Sequence, residues 1–233
     1  MPNLLTPAAS NPKTARNAGG IEAAILHMAP HTVAGVGNVC PWATPGCAAA
    51  CLNTAGRGQM STVQAARVRK TREFFDNPRA FWHQLAAEID TLDRRAKRRG
   101  HLGAIRLNGT SDIPWEKQKV GGMTLMEAFP DVWFYDYTKS ISRAQAFATG
   151  DFPPNYHLTL SRGENMDEWA TALMPPGVNV AVVFDALPET WAMRPVVDGT
   201  RDDWRFFDPV GVIVGLLPKG DAKRDTSGFV VRT

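Results

Sequence analysis

From Ser61 onward the apolar positions fall into two kinds of pattern. Val63, Ala66, Val68 and Phe74 make a rough helical stripe with Arg67, Arg69, Lys70 and Arg72 between them, and Ser61 and Thr62 offer N-cap oxygens. After Asn77-Pro78, the residues Phe81, Trp82, Leu85, Ile89 and Leu92 recur every three to four positions. That spacing predicts an amphipathic helix over 79–98, with Gly100 as its stop. Short β-rich apolar runs follow at 103–107 (GAIRL), 132–137 (VWFYDY), 156–160 (YHLTL), 179–184 (NVAVVF) and 210–217 (VGVIVGLL). With 22–29 (EAAILHMA) upstream they make six predicted strands. Helical patterns over 122–128, 140–148 and 166–174 separate most of them, and 187–207, rich in Trp and Arg, reads as partly helical. Strands alternating with helices predict a parallel sheet in an α/β fold. Lys219 to Ser227 turns the chain back into a short strand at 229–232, a C-terminal hairpin. Six βα units fit an incomplete barrel or a doubly wound sheet, and periodicity does not choose between them. Residues 1–20, rich in Pro, Asn, Ala and Gly, read as an extended arm, and 21–233 as a single domain.

Composition narrows the class. At 233 residues, 44% hydrophobic and 21% charged, the chain is an ordinary globular one, which excludes disorder, collagen and coiled coil. No apolar run reaches the ~18 residues of a membrane span, so no membrane partner is expected. The N-terminus lacks the charged start and apolar centre of a secretory signal. Three cysteines are too few for a disulfide scaffold, and a reducing cytoplasm is the expected compartment. The net charge of +3 is concentrated: 14 Lys/Arg against 7 Asp/Glu lie between Arg57 and Lys119, most densely at Arg94, Arg95, Lys97, Arg98 and Arg99. Such a cluster is either a solvated helix end, where cations suit the dipole, or a nucleic-acid surface on the basic helices of 61–99.

The strongest chemical signal is Cys40-Pro-Trp-Ala-Thr-Pro-Gly-Cys47-Ala-Ala-Ala-Cys51, a C-x6-C-x3-C loop that holds every cysteine of the chain. A helical piece over 47–52 would turn the Cys47 and Cys51 sulfurs to one side, and Pro45-Gly46 supplies a turn to bring Cys40 back. Converging thiolates suit soft metals. Three ligands and no fourth suit an iron–sulfur cubane, a [4Fe-4S] cluster with one iron left open, or a three-iron cluster. Zinc needs a fourth ligand, for which His27 or His31 stands just upstream. Three packed cysteines without a metal are the third reading. Trp42, inside the loop, either shields a cluster from water or packs the loop.

A three-cysteine loop directly after the first strand of a βα series resembles the radical S-adenosylmethionine (radical SAM) superfamily. The resemblance implies a partial (β/α)6 TIM-type barrel with a [4Fe-4S] cluster at its mouth and S-adenosylmethionine as a candidate ligand of the open iron. The superfamily spacing is C-x3-C-x2-C, so this loop is wider. The Gly-Gly-Glu stretch that holds the methionyl amine is replaced here by Leu107-Asn108-Gly109-Thr110-Ser111-Asp112, so sulfonium cleavage does not carry over with the cluster. The stretches RLNGTSDIPWE, FYDYTKS, YHLTLSRGE and DPVGVIVGLLPKG resemble a bacteriophage family, the gene-product-88 type, over most of the chain from about residue 20. A phage origin would make the compartment the host cytoplasm.

In a parallel βα barrel the chemistry sits at the C-terminal strand ends. That rule selects His27 after the first strand, and Asn108, Ser111, Asp112 and Glu116 after the second. Asp136, Tyr137, Thr138 and Lys139 follow the third, Ser161, Arg162 and Glu164 the fourth, Asp185 the fifth and Lys219 the sixth. Arg162 is a candidate bidentate clamp for a carboxylate or phosphate, and Lys219 a point charge. His157, inside a strand, reads as a packed residue. No Walker loop, G-x-G-x-x-G, H-E-x-x-H or G-x-S-x-G motif is present. The expected function is a cluster protein whose open iron takes a small-molecule ligand, either as a radical-SAM-like enzyme or without such chemistry in small-anion binding, sulfur chemistry or electron transfer. The rival is a nucleic-acid or host-interaction protein with a structural cluster.

Overall fold

The long strands form where β-branched and aromatic residues run together, the composition of a sheet buried on both faces. The structure is a computed structural model that describes residues 2–8, 19–166 and 177–233. In chain order its strands are β1 (Leu5–Pro7), β2 (Ile21–Leu26), β3 (Leu102–Arg106), β4 (Val132–Thr138), β5 (Tyr156–Ser161), β6 (Val180–Phe184), β7 (Thr190–Trp191), β8 (Arg194–Asp198), β9 (Ile213–Leu216) and β10 (Val230–Val231). They join in the order β1-β2-β3-β4-β5-β6-β9-β8-β7, with β10 beside β6. Every pairing from β2 through β8 is parallel, and only β1 on β2 and β7 on β8 run antiparallel. The order ends at β1 and β7, so this α/β sheet is rich in parallel pairs and is not closed.

Five α-helices accompany it among the described residues: α1 (Pro45–Ala49), α2 (Ser61–Asp76), α3 (Pro78–Arg99), α4 (Leu125–Ala128) and α5 (Ile141–Ala148). Helix α3 starts on Pro78, whose missing N–H costs nothing at a first helical position, and ends at Gly100 in the left-handed region (φ 66°). Its Phe81, Leu85, Ile89 and Leu92 pack in one core with Leu26, Ile105 and Phe134 of the sheet. Each such side chain contributes roughly 1.5–3 kcal/mol by leaving water. The opposite face of the sheet, at Ala23, Ala104 and Tyr135, is covered by Trp204 and Phe206.

Several expectations are corrected. Val230–Val231 is a strand, but it pairs parallel to β6 rather than closing a hairpin. Strands β5 and β6 pair only at Leu160↔Val180 and Ser161↔Ala181, which leaves the far end of β6 for β10. The hairpin lies instead at β7–β8, inside the segment 187–207 expected to be partly helical. Within the expected arm, β1 adds to the sheet edge, Leu4 and Leu5 are buried, and Glu88 accepts both their N–H groups. Residues 9–18 of the arm and most of the expected helix 166–174 lie outside the described residues. Helix α2 buries Arg67, Lys70 and Thr71, whereas the apolar stripe of Val63, Ala66, Val68 and Phe74 stays half-exposed.

Candidate functional site

Parallel strands bring their C-terminal ends to one edge, and the cysteine loop leaves β2 at that edge. Asp112, in the loop after β3, fastens the front of the cysteine loop by donating its N–H to Val39 O (2.8 Å). The Cys40 thiol lies 3.7 Å from Thr110 O, toward which it donates. The back is fastened from β5. Glu164 accepts the Gly46 N–H (2.7 Å) and the Thr44 hydroxyl, while Thr44 Oγ1 caps α1 by accepting the Cys47 N–H (3.2 Å). Helix α1 ends at Ala49, so the single helix expected over 47–52 is not formed. Cys51 lies beyond it in an extended conformation (φ −59°, ψ 133°) and caps a short 3-10 turn, Leu52–Thr54, by accepting the Asn53 N–H on Sγ (3.5 Å). The segment 220–224 packs on that turn, where the Thr54 hydroxyl donates to Asp221 (2.9 Å).

All three cysteines are free and half-buried. Burial pushes the Cys40 thiol up to about 12; a hydrogen bond from the His31 backbone resists, and Cys51, Asp112 and Cys47 add to the rise. Burial also raises Cys47, opposed by Lys139, and Cys51, opposed by the Asn53 N–H and Arg67. Each thiol is therefore protonated at neutral pH, and ligation of a metal would release its proton. Among the described residues, no three His, Cys, Asp or Glu side chains converge as a site for a single metal ion.

Around the cysteines stand buried charges. Asp112 accepts the Lys139 N–H (2.8 Å) and one arm of Arg143 (2.7 Å). Arg143 also forks onto Glu116 (2.8 Å on both contacts), is 2% exposed at its side chain, and lies 5.8 Å from the centre of the Trp42 ring. Lys139 Nζ donates to Ser161 O (3.3 Å), Ser161 Oγ (3.0 Å) and Arg162 O (2.9 Å). Cys40, Cys47, Cys51, Trp42, Asp112, Lys139 and Ser161 thus belong to one neighbourhood, as their positions after the strands predict. Arg143 and Arg67 were not selected by sequence reasoning. Each sits inside a helical pattern, and nothing local marks it as facing inward.

The other selected residues go elsewhere. Asn108 organises its own loop, its Oδ1 accepting the Ile113 N–H (2.9 Å) and its backbone N–H reaching Asp136 (2.6 Å). Asp136 is fully buried beneath it and also accepts the Tyr156 hydroxyl (2.8 Å); burial pushes its carboxyl up to about 7. Tyr137 lies under Arg106, whose guanidinium stands 4.7 Å from the ring centre. His27 is half-buried near Arg67, Arg106 and Lys70, and desolvation followed by those cations lowers it to about 3. Arg162 Nη1 donates to Gly228 O (2.9 Å) and Phe229 O (3.2 Å), bracing β10. Asp185 accepts the Thr233 N–H (3.0 Å) at the chain end, and Lys219 is exposed. His157 is packed on Phe147 (ring centres 5.5 Å).

The basic cluster of α3 is largely spent on ion pairs. Arg94 meets Asp90 (2.9 Å), Arg95 and Arg99 share Glu22 (2.8 and 2.5 Å), and Lys97 bridges Asp93 and Asp131 (2.8 and 2.9 Å). This is the pattern of a solvated helix end. No helix among the described residues is long and apolar enough to cross a membrane.

Comparison with protein families matches residues 3–233 to the family described as gene product 88. No curated protein and no solved structure matches the chain.

Proposed function

This chain belongs to the gene product 88 family, a family of phage gene products, and we propose that it is an iron–sulfur protein. In this reading Cys40, Cys47 and Cys51 hold a [4Fe-4S] cluster in a radical-SAM-like partial barrel, and one iron is left open to a small ligand. The observation that carries it is the grouping of the chain's three cysteines, all half-buried, on one loop at the C-terminal edge of a parallel sheet, with Cys47 and Cys51 both acting to raise the Cys40 thiol. The donor set fits the group. Three soft sulfurs on one loop suit a cubane, which spreads its thiolates over separate irons. A single zinc ion would need its ligands in one tight shell, and no such shell occurs among the described residues.

When bound, the cluster supplies an electron carrier and a Lewis-acidic iron. The chain's own residues hold the loop from both sides: Asp112 through Val39, and Glu164 through Gly46 and Thr44. Trp42, half-exposed, lies with its ring centre 5.8 Å from Arg143. Both oxygens of Asp112 are committed, one to Arg143 and one to the Lys139 N–H. The carboxylate nearest the position of the superfamily's Gly-Gly-Glu stretch is therefore not available to a methionyl amine. This favours a small ligand at the iron over S-adenosylmethionine cleavage.

Anaerobic purification or reconstitution tests the reading. Roughly four irons and four sulfides per chain are expected, lost when the three cysteines are replaced by serine, with an EPR signal of the reduced protein that does not change on adding S-adenosylmethionine. A triple-serine variant that keeps its iron and sulfide would overturn the ligand assignment. A methionine-sensitive signal would restore the radical-SAM chemistry.

A further inference from the structure

Helix α2 ends at Asp76 and α3 begins at Pro78, so the two helices meet across the single residue Asn77. The loop after β3 runs past this corner with its 3-10 turn Trp115–Lys117 and the residues up to Gly121. A cavity of about 550 Å³ lies between the three segments. Small-molecule sites have this size, roughly 300–1,000 Å³. Phe81 and Trp115, 1% and 2% exposed, form its floor, and Phe74, Phe75 and Trp82 form its walls.

The aromatic frame is fixed from several directions. The Phe74 ring meets Phe75, Phe81 and Trp115 edge to face, with ring centres at 5.2, 5.4 and 5.8 Å. Trp115 is pinned by its indole N–H, which donates to Asn108 Oδ1 (3.3 Å). Phe75 lies so close to Gly37 that a Cβ there would collide with its ring. Beside Lys119, Val120 and Met123 exchange backbone hydrogen bonds (3.0 and 3.4 Å) around Gly121 and Gly122, both left-handed (φ 64° and 86°). The cavity therefore exists before any ligand enters it, which keeps the ordering cost of binding low.

The charged residues lining the cavity are both cations, Arg79 and Lys119, and both are exposed, so they stand at its rim. Arg79 is in no ion pair among the described residues. Lys119 reaches Glu127 only at 4.0 Å, between two exposed side chains, a pairing worth little. Asp76 lines an adjoining groove with His83 rather than this cavity. We propose that the cavity is a binding site for a small molecule that joins an apolar aromatic ring system to an anionic group. The ring lies among the aromatic side chains, and the anion faces Arg79 and Lys119. The lining also selects the kind of ring. Apart from Gln118, its inner part is aromatic and aliphatic, so the hydrogen-bonding edges of a nucleobase would be buried unpaired at a cost that a carbocyclic ring does not incur. None of the lining residues belongs to the three-cysteine loop, so occupancy of the cavity does not require a cluster.

Titration calorimetry on the full chain tests this with naphthalene-2-carboxylate, with its neutral counterpart 2-naphthylmethanol, and with AMP, whose base carries hydrogen-bonding edges. The carboxylate is expected to bind one molecule per chain, more tightly than the alcohol or AMP, and to lose that advantage as salt is raised. Arg79→Gln and Lys119→Gln, both on the surface, should each weaken the carboxylate by about two- to fivefold and leave the alcohol unchanged. The double variant should bind carboxylate and alcohol alike. Phe75→Ala, at a wall residue that is 37% exposed, should weaken both compounds together. The melting temperature of each variant shows that it is folded, and either glutamine variant serves if the other is not. Absence of saturable carboxylate binding would overturn the site. Equal affinity of the wild type for carboxylate and alcohol would overturn the anionic group, and tighter binding of AMP would overturn the carbocyclic ring. Affinities that none of the folded variants changes would put the binding elsewhere and overturn the proposal. The iron and sulfide content of the same preparations bears on the cluster reading alone.

Discussion

Glu164 reaches from the loop after β5 to accept the Gly46 N–H at 2.7 Å, and its second oxygen takes the Thr44 hydroxyl. Partial burial works against the charged form, yet these bonds hold the carboxyl below the ordinary carboxylate range. The contact spans 118 residues of sequence and fixes the first turn of α1, from which Cys47 projects. Glu164→Ala is expected to remove both bonds and cost about 1–3 kcal/mol. Urea unfolding reads the loss as a lower midpoint at unchanged slope. Native-state alkylation of Cys47 should accelerate in the same variant, whereas Glu164→Gln, which can still accept from Gly46, should lose less. An unchanged alkylation rate in Glu164→Ala would show that α1 is held by something else.

Gly46 makes the same contact sensitive to a single methyl group. A Cβ there would stand 2.3 Å from Ser227 Oγ and 2.8 Å from Glu164 Oε2. Gly46→Ala is expected to force both side chains aside and to destabilise by about 1–3 kcal/mol. Ser227→Ala removes the nearer obstacle but leaves the Glu164 contact, so the double variant should recover part of the loss. A double-mutant cycle on urea midpoints measures that coupling, and strict additivity would argue against the clash.

The parallel core was legible because strands buried on both faces read as unbroken apolar runs, of which Val180–Phe184 is the clearest. The strands β7 and β10, two residues each, carry no such run. The direction of β10 depends on the room left beside β6, which no local pattern encodes. At the site, the cysteine spacing stood out, but the charges around it did not. Helix α2 turns Arg67, Lys70 and Thr71 inward against the rule of amphipathic helices, so its periodicity does not mark them. The strand-end rule reaches Lys139 and Asp112, which stand around the cysteine loop. It also chose Asp185 and Lys219, whose loops run out to the surface.

Arg143 is the residue whose loss should damage the region most. Its side chain is 2% exposed and answers Asp112 and Glu116, themselves 11% and 6% exposed. Arg143→Leu leaves two buried carboxylates without their cation, a change expected to cost about 3–5 kcal/mol. Arg143→Lys keeps the charge but cannot fork onto Glu116 while reaching Asp112, so an intermediate loss is expected. Equilibrium unfolding in urea at neutral pH gives both numbers. A loss below about 1 kcal/mol in Arg143→Leu would mean that the two carboxylates are protonated or hydrated rather than paired.

The buried Asp136 and the half-buried His157 give the stability opposite slopes with pH. Burial pushes Asp136 from 3.8 up to about 7, while burial and then Arg205 lower His157 from 6.5 to about 4. For Asp136 the folded chain binds the proton more tightly than the unfolded one. Its contribution is therefore complete below the unfolded value of 3.8 and is lost as pH rises toward about 7. For His157 the unfolded chain binds the proton more tightly. Its contribution is complete above 6.5 and is lost as pH falls toward about 4. Across the shared interval the two effects, each at most roughly 3–4 kcal/mol, oppose one another. Asp136→Asn deletes the falling limb, so its stability relative to wild type should rise with pH over that interval. His157→Gln deletes the rising limb, so its relative stability should fall with pH over the same interval. Urea midpoints for the three proteins at several pH values between about 4 and 7 separate the two. Curves that stay parallel to wild type in both variants would mean that neither group titrates in the folded protein as its burial requires.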